Sequence, residues 1–268
     1  MSLGFSVNEL IPHARGGGQL KIGLAKLTEE EWLQPDPDLA QRQAAFDAHP
    51  EAVQLTAEAE APGRELAEMM GVSGGLPEAA RAAWEDMCLL TRRDDEEIYR
   101  LIGAAVAFPT DWHPQQKMGL PMTALHAPID GYAEQLSAPV DRFMMKLKAG
   151  AIYGRCNWFI APTGDYRWIA ESSPDPRFAK VTADNAGETL FARSERQTLR
   201  RLPETSAILF TIGVYVTPFA ELSDANLAKL AGAVAEIGSG EGDRRGAPQY
   251  GAALAAYAEG RLGATLPR

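Results

Sequence analysis

Two β-patterned segments, residues 189–202 and 207–217, are separated only by Pro203-Glu204-Thr205-Ser206. No other feature of the chain restricts its fold so tightly. A turn this short reverses the chain, so the two segments read as a hairpin and commit this region to an antiparallel sheet. Residues 151–161 and 166–170 read as two further strands. Residues 98–108 carry branched apolar side chains up to Pro109 and read as a buried strand. Between them, Ser137 is placed as the N-cap of a helix with Val140, Phe143, Met144 and Leu147 on one face, ending at Gly150.

The flanks have helical character. Thr28 followed by Glu31 fits a capping box before Trp32 and Leu33, and Asp36-Pro37 is a second start signal for a helix ending near His49-Pro50. Pro62-Gly63 is expected to break the next stretch, and Gly71 to cap its end. From Pro77, the positions Ala80, Ala83, Trp84, Met87, Cys88 and Leu90 recur at helical spacing. After the sheet, Ser223 caps a helix carrying Leu227, Leu230, Val234 and Ile237. Residues 238–246 read as a Gly-rich linker before a last Ala-rich helix. The expected class is α+β: helical additions over 1–97 and 221–268 around an antiparallel core over 98–220. Residues 109–132, with four prolines and no clear period, make a loop of a length that usually has a task.

Charge and cysteine usage narrow the function classes. Lys plus Arg is 26 against 36 Asp plus Glu, a formal charge of −10. Such a surface argues against nucleic acid or an anionic membrane as partner. Cys88 and Cys156 are the only cysteines, and they read as two free buried thiols. Without C-x-x-C there is no iron–sulfur or zinc set, and without C-x-x-C-H no c-type haem attachment. The N-terminal residues lack a basic segment followed by an apolar one, so the expected location is the cytoplasm.

Three stretches carry chemistry. His126, in Ala124-Leu125-His126-Ala127-Pro128, has apolar neighbours and reads either as a hydrogen-bonded core histidine or as a ligand. Alternation over 154–160 puts Arg155, Asn157 and Phe159 on one strand face, with Cys156, Trp158 and Ile160 on the other. The first face is either solvated or the lining of a polar pocket. In residues 194–203, Arg196, Thr198 and Arg200 share one face, and Glu195, Gln197, Leu199 and Arg201 the other. That strand is either a solvated edge or a set of arginine forks for carboxylates. Gly238 to Gly242 and Gly16 to Gly18 match neither a dinucleotide fingerprint nor a phosphate loop.

Taken in order, these stretches resemble the α-subunit family of haem-dependent oxidative N-demethylases. The resemblance runs through Ile22-Gly23-Leu24, Trp84-Glu85-Asp86-Met87-Cys88, Phe108-Pro109-Thr110-Asp111-Trp112 with Lys117, Leu125-His126-Ala127-Pro128, Arg155-Cys156-Asn157-Trp158 and Glu195 to Pro203. The chain departs from the family at Ile129-Asp130, where a Val-Pro pair is usual. The resemblance implies a PAS-like antiparallel sheet and a non-covalent haem b. It also implies oxidative demethylation of a small secondary amine, such as dimethylamine, with O2. Electrons would come from separate flavin and iron–sulfur reductase subunits. It makes His126 the first choice of axial ligand to the haem iron. Arg196 and Arg200, with Arg155 and Asn157, become candidates for propionate or distal-pocket contacts. Glu195 becomes one for the substrate ammonium or a proton relay, and Trp112 and Lys117 for closing the pocket. The other reading compatible with the same resemblance is a non-catalytic PAS-like sensor of haem or a small ligand.

Overall fold

A computed structural model of the chain describes residues 2–14, 22–93, 98–127, 131–170 and 172–263. The glycine run at 16–18 and Pro128, Ile129 and Asp130 lie outside them. The class is α+β. Seven strands form one antiparallel sheet: β1 (Ala25–Leu27), β2 (Val53–Leu55), β3 (Asp86–Thr91), β4 (Arg100–Ala105), β5 (Ile152–Ala161), β6 (Phe191–Arg201) and β7 (Ile208–Pro218). Their order is β1-β5-β6-β7-β3-β4-β2.

Contacts divide the chain into two compact units: Met1–Ser2, Leu20–Arg155 and Arg196–Val214 in the first, and Leu3–Gln19, Cys156–Glu195 and Tyr215–Arg268 in the second. In the first, β3 pairs with β7 from Asp86↔Ile212 to Leu90↔Ile208, and with β4 from Met87↔Ala105 to Thr91↔Arg100. The predicted hairpin is present: Leu202 N–H donates to the Ala207 carbonyl (2.9 Å), and Ser206 takes the left-handed conformation (φ 60°). A buried carboxylate holds this turn from outside. Glu65 accepts from the backbone N–H of Glu204 (2.7 Å) and Thr205 (2.9 Å) and from the Thr205 hydroxyl (2.5 Å).

Several expectations for the N-terminal third are corrected. The helix after Pro77 ends at Arg81 (Leu76–Arg81), and Met87, Cys88 and Leu90 lie on β3. A strand buried on both faces is a continuous apolar run and satisfies helical spacing by accident. What fixes it as a strand is Asp86. Its carboxylate pairs with buried Arg42 (2.6 Å) and accepts from the N–H groups of Ala107 (2.7 Å) and Phe108 (3.2 Å), tying the start of β3 to the end of β4. Thr28 N–H does donate to Glu31 Oε2 (2.9 Å), but no helix follows, because the Glu31 and Trp32 carbonyls accept from Arg196 instead. Asp38, not Asp36, caps the helix Leu39–Ala48. Pro62 does not break its helix, Glu60–Met69, since it falls in the first turn where its missing N–H is not needed. Gly71 follows that helix at φ 71°, as expected of a terminating glycine.

The second unit holds the rest of β5, β6 and β7 and the helices Asp224–Glu236, Ser239–Arg244 and Ala247–Leu262. Ser223 caps the first of these by accepting from Asn226 N–H (3.3 Å). Two expectations fail here. Residues 166–170 form no strand: Tyr166 and Arg167 lie in a bend and Trp168 makes only a single β-bridge, while the carbonyls of Asp165 and Tyr166 accept from the Arg193 guanidinium (3.2 and 2.7 Å). The expected linker contains the helix Ser239–Arg244, supported by Glu241 pairing with Arg244 and Arg245 (2.6 Å each). Cys88 and Cys156 are buried thiols not joined in a disulfide.

Candidate functional site

The site is assembled in the first unit around one apolar cluster. Leu90 of β3, Leu101 of β4 and Ile208 of β7 pack with Met144 and Leu147 from the helix Ala138–Lys146 and its C-cap. Against this core lie Trp112, Met122 and Leu125 from the long loop, Phe143, and Tyr153 and Leu199 from β5 and β6. Phe143 and Tyr153 meet edge to face at 5.1 Å. The loop that the sequence leaves irregular is thus a wall of this cluster, and residues 122–127 carry its histidine.

His126 ends the short helix Met122–Leu125, where its backbone N–H and its ring Nδ1 both reach the Met122 carbonyl (3.2 and 2.9 Å). A carbonyl only accepts, so Nδ1 carries the hydrogen and Nε2 of the neutral ring keeps its lone pair. Burial lowers the imidazole pKa and the charges of Arg155 and Lys117 lower it further, against the raising effect of the Met122 carbonyl. The ring is therefore a neutral donor of electron density at Nε2, the state a metal ligand needs. It is stacked on Tyr132, with centroids 4.3 Å apart and planes 11° from parallel. Lys117 Nζ donates to the Leu125 carbonyl (3.4 Å), and Arg155 Nε to Gln197 Oε1 (2.8 Å).

Two residues absent from the sequence reading complete the site. Tyr132 is 4% exposed, and its hydroxyl has no hydrogen-bond partner among the described residues. Asp141, in the first turn of the helix Ala138–Lys146, has a buried Oδ1 in the same condition. Burial raises the Asp141 carboxyl against a lowering bond from Ser137. Burial, and then the Asp141 charge, push the Tyr132 phenol up to about 12, with Arg155 acting the other way. In sequence, Tyr132 is only the end of the irregular stretch 109–132, and Asp141 draws no reading. Nothing local distinguishes them.

The predicted residues fall into three groups. His126, Lys117, Arg155 and Trp112 come together in or beside the cluster. Arg196 and Arg200 occupy the opposite face of β6 from Gln197 and Leu199, as strand alternation requires. There Arg196 donates to the carbonyls of Trp32 (3.0 Å) and Glu31, while Arg200 pairs with Glu29 and lies 4.3 Å over the Trp32 ring. Thr198 shares a hydroxyl bond with Thr211 (2.6 Å) on the same side. Buried Glu195 and half-buried Asn157 belong to the second unit. Cys156, Trp158 and Ile160 are buried and Arg155, Asn157 and Phe159 half-buried, which is the predicted alternation of β5.

Among the described residues no group of three or more His, Cys, Asp or Glu is placed to hold a metal ion, and no helix is long and apolar enough to cross a membrane. A porphyrin iron needs only an axial ligand from the protein, together with apolar walls and cations for two propionates. His126, the cluster around Met122 and Leu125, and the pair Lys117 and Arg155 fit those three requirements. A family model described as haem-dependent oxidative N-demethylase, alpha subunit-like, matches residues 75–255, roughly two thirds of the chain.

Proposed function

We propose, for a chain that belongs to the haem-dependent oxidative N-demethylase alpha-subunit-like family, that it is the haem b-binding subunit of a monooxygenase acting on a small secondary amine such as dimethylamine. The observation that carries this reading is the state of His126. Its Nδ1–H is committed to the Met122 carbonyl, which fixes the plane of the ring and leaves the Nε2 lone pair as the group that would hold the haem iron. Stacking on Tyr132 fixes the ring further. Lys117 and Arg155 would take the propionates, and the seven-stranded sheet would serve as a PAS-like frame around a non-covalent haem. A bound haem would supply the iron at which O2 is bound and activated for oxidation of the amine. Trp112, Met122, Leu125 and Phe143, packed on the apolar cluster, would keep water away from that centre. With two cysteines, the chain has too few thiolates for a four-cysteine iron–sulfur cluster. By the family resemblance, separate flavin and iron–sulfur subunits would be the electron source.

The test is the Soret band of the haem-reconstituted protein against His126→Ala, followed by a formaldehyde assay with dimethylamine, O2 and a surrogate ferredoxin–reductase pair. The expected results are a shifted, weakened band in the variant and formaldehyde only when the reductase pair is present. An identical spectrum in the variant removes His126 from the iron. An amine-dependent spectral change with no formaldehyde, across several electron donors, would indicate a sensor instead.

A further inference from the structure

The segment 28–34 joins β1 to the helix Leu39–Ala48 and has no helix or strand of its own. It lies on the face of β6 that carries Arg196 and Arg200. Arg196 donates to the carbonyls of Trp32 (3.0 Å) and Glu31, and Arg200 pairs with Glu29 and covers the Trp32 ring at 4.3 Å. At its far end, Gln34 N–H donates to Oε1 of Glu85, the residue before β3 (2.8 Å). Closure of this segment is costly all the same. Trp32 Nε1, Gln34 Oε1 and Glu85 Oε2 are buried with no hydrogen-bond partner among the described residues. Each has given up water and received nothing in return, so opening restores three solvated groups. A segment held in this way belongs to the low-stability end of a fold.

We propose that the segment 28–34 is a pH-operated strap, closed on β6 while Glu85 is protonated and released when Glu85 ionises. Glu85 is fully buried. Protonated, it brings no charge into the interior, and one of its oxygens becomes a donor. Ionised, it leaves a full charge and an unsatisfied acceptor beside the segment. The charged groups around it do not offset this. Arg42, from the helix Leu39–Ala48, gives Nε to the Ala80 carbonyl (2.9 Å), Nη1 to Asp86 (2.6 Å) and Nη2 to the Glu85 carbonyl (2.6 Å). Arg196 of β6 reaches the segment's carbonyls. On the segment itself, Glu31 accepts from Thr28 N–H (2.9 Å) and Glu29 from Arg200. Burial therefore outweighs the two arginines and raises the Glu85 carboxyl from 4.5 to about 7. Opening admits water to the carboxyl and returns it to its ordinary range. Between pH 4.5 and about 7 the open form has released a proton that the closed form keeps, so opening becomes more favourable as pH rises and levels off above about 7.

Hydrogen exchange of the full chain, resolved by residue and corrected for the intrinsic pH dependence of exchange, tests the strap. Protection of the Gln34 amide is expected to fall roughly thirtyfold from pH 5.5 to 8 in wild type, the change that one proton with these two affinities gives. In Glu85→Gln, which cannot ionise, it should stay level. At every pH the Gln34 amide should be less protected than that of Leu209 in β7, because the strap opens while the sheet stays formed. Three results would each overturn the proposal: level protection of Gln34 in wild type, the same fall in E85Q, or Gln34 following Leu209 throughout. If E85Q does not fold, the wild-type profile and the comparison with Leu209 still decide.

Discussion

Glu85 offers a test of the structure that needs no ligand. It precedes β3, is fully buried, and its Oε1 accepts from Gln34 N–H (2.8 Å), while Oε2 has no partner among the described residues. Burial raises its pKa from 4.5 to about 7, against the lowering influence of the Gln34 N–H and of Arg196 and Arg42. The folded chain therefore holds a proton that the unfolded chain releases between pH 4.5 and about 7. Stability is fully present below 4.5 and falls as pH rises through that window. At ~1.4 kcal/mol per tenfold change in proton affinity, the gap between 4.5 and about 7 is worth about 3 kcal/mol. Glu85→Gln keeps the shape and an acceptor for Gln34 but carries no charge. It should stabilise the protein by up to about 3 kcal/mol at pH 8 and leave it unchanged at pH 4.5. For a chain of this size that is a rise of roughly 6–12 °C in melting temperature at the higher pH. The assay is a melt of both proteins at half-unit steps from pH 4.5 to 8. Equal stabilities throughout, or a variant that loses most at pH 8, would show that Glu85 is ionised in the fold and that Arg196 and Arg42 outweigh its burial.

Removing Asp86 should have the opposite consequence. Asp86→Ala strands the fully buried Arg42 guanidinium and the Ala107 and Phe108 N–H groups, at a cost of about 3–5 kcal/mol read from the urea midpoint. Asp86→Asn, which keeps an oxygen for the backbone, should cost less, and a cost below about 1 kcal/mol for both would refute the anchoring of β3 to β4. Glu65→Ala frees three donors of the β6–β7 turn and should cost about 1–3 kcal/mol, with faster hydrogen exchange at Glu204 and Thr205 than at Leu209 in β7. Unchanged exchange at the turn would mean the hairpin holds its shape without Glu65.

What the sequence disclosed, and what it hid, follows from how local each signal is. The β6–β7 hairpin, the Ser223 cap and the alternation of β5 were legible because a turn, a cap and a half-buried strand each write their pattern within a few adjacent residues. β3 was not, because burial on both faces removes the two-residue period that marks a strand. β1 and β2, at three residues each, are too short to show any period. The site divides in the same way. His126 stood out as a histidine among apolar neighbours, while the arginines of β6 read either as a solvated edge or as forks for carboxylates. Arg196 donates to the carbonyls of Glu31 and Trp32, more than 160 residues earlier in the chain, and no local pattern could name those partners. Tyr132 and Asp141 are a harder case. Neither belongs to a motif, and what the fold gives each of them is a buried polar atom with no hydrogen-bond partner among the described residues. A sequence can advertise the groups that satisfy one another nearby. A group left unsatisfied becomes visible only when the fold has closed around it.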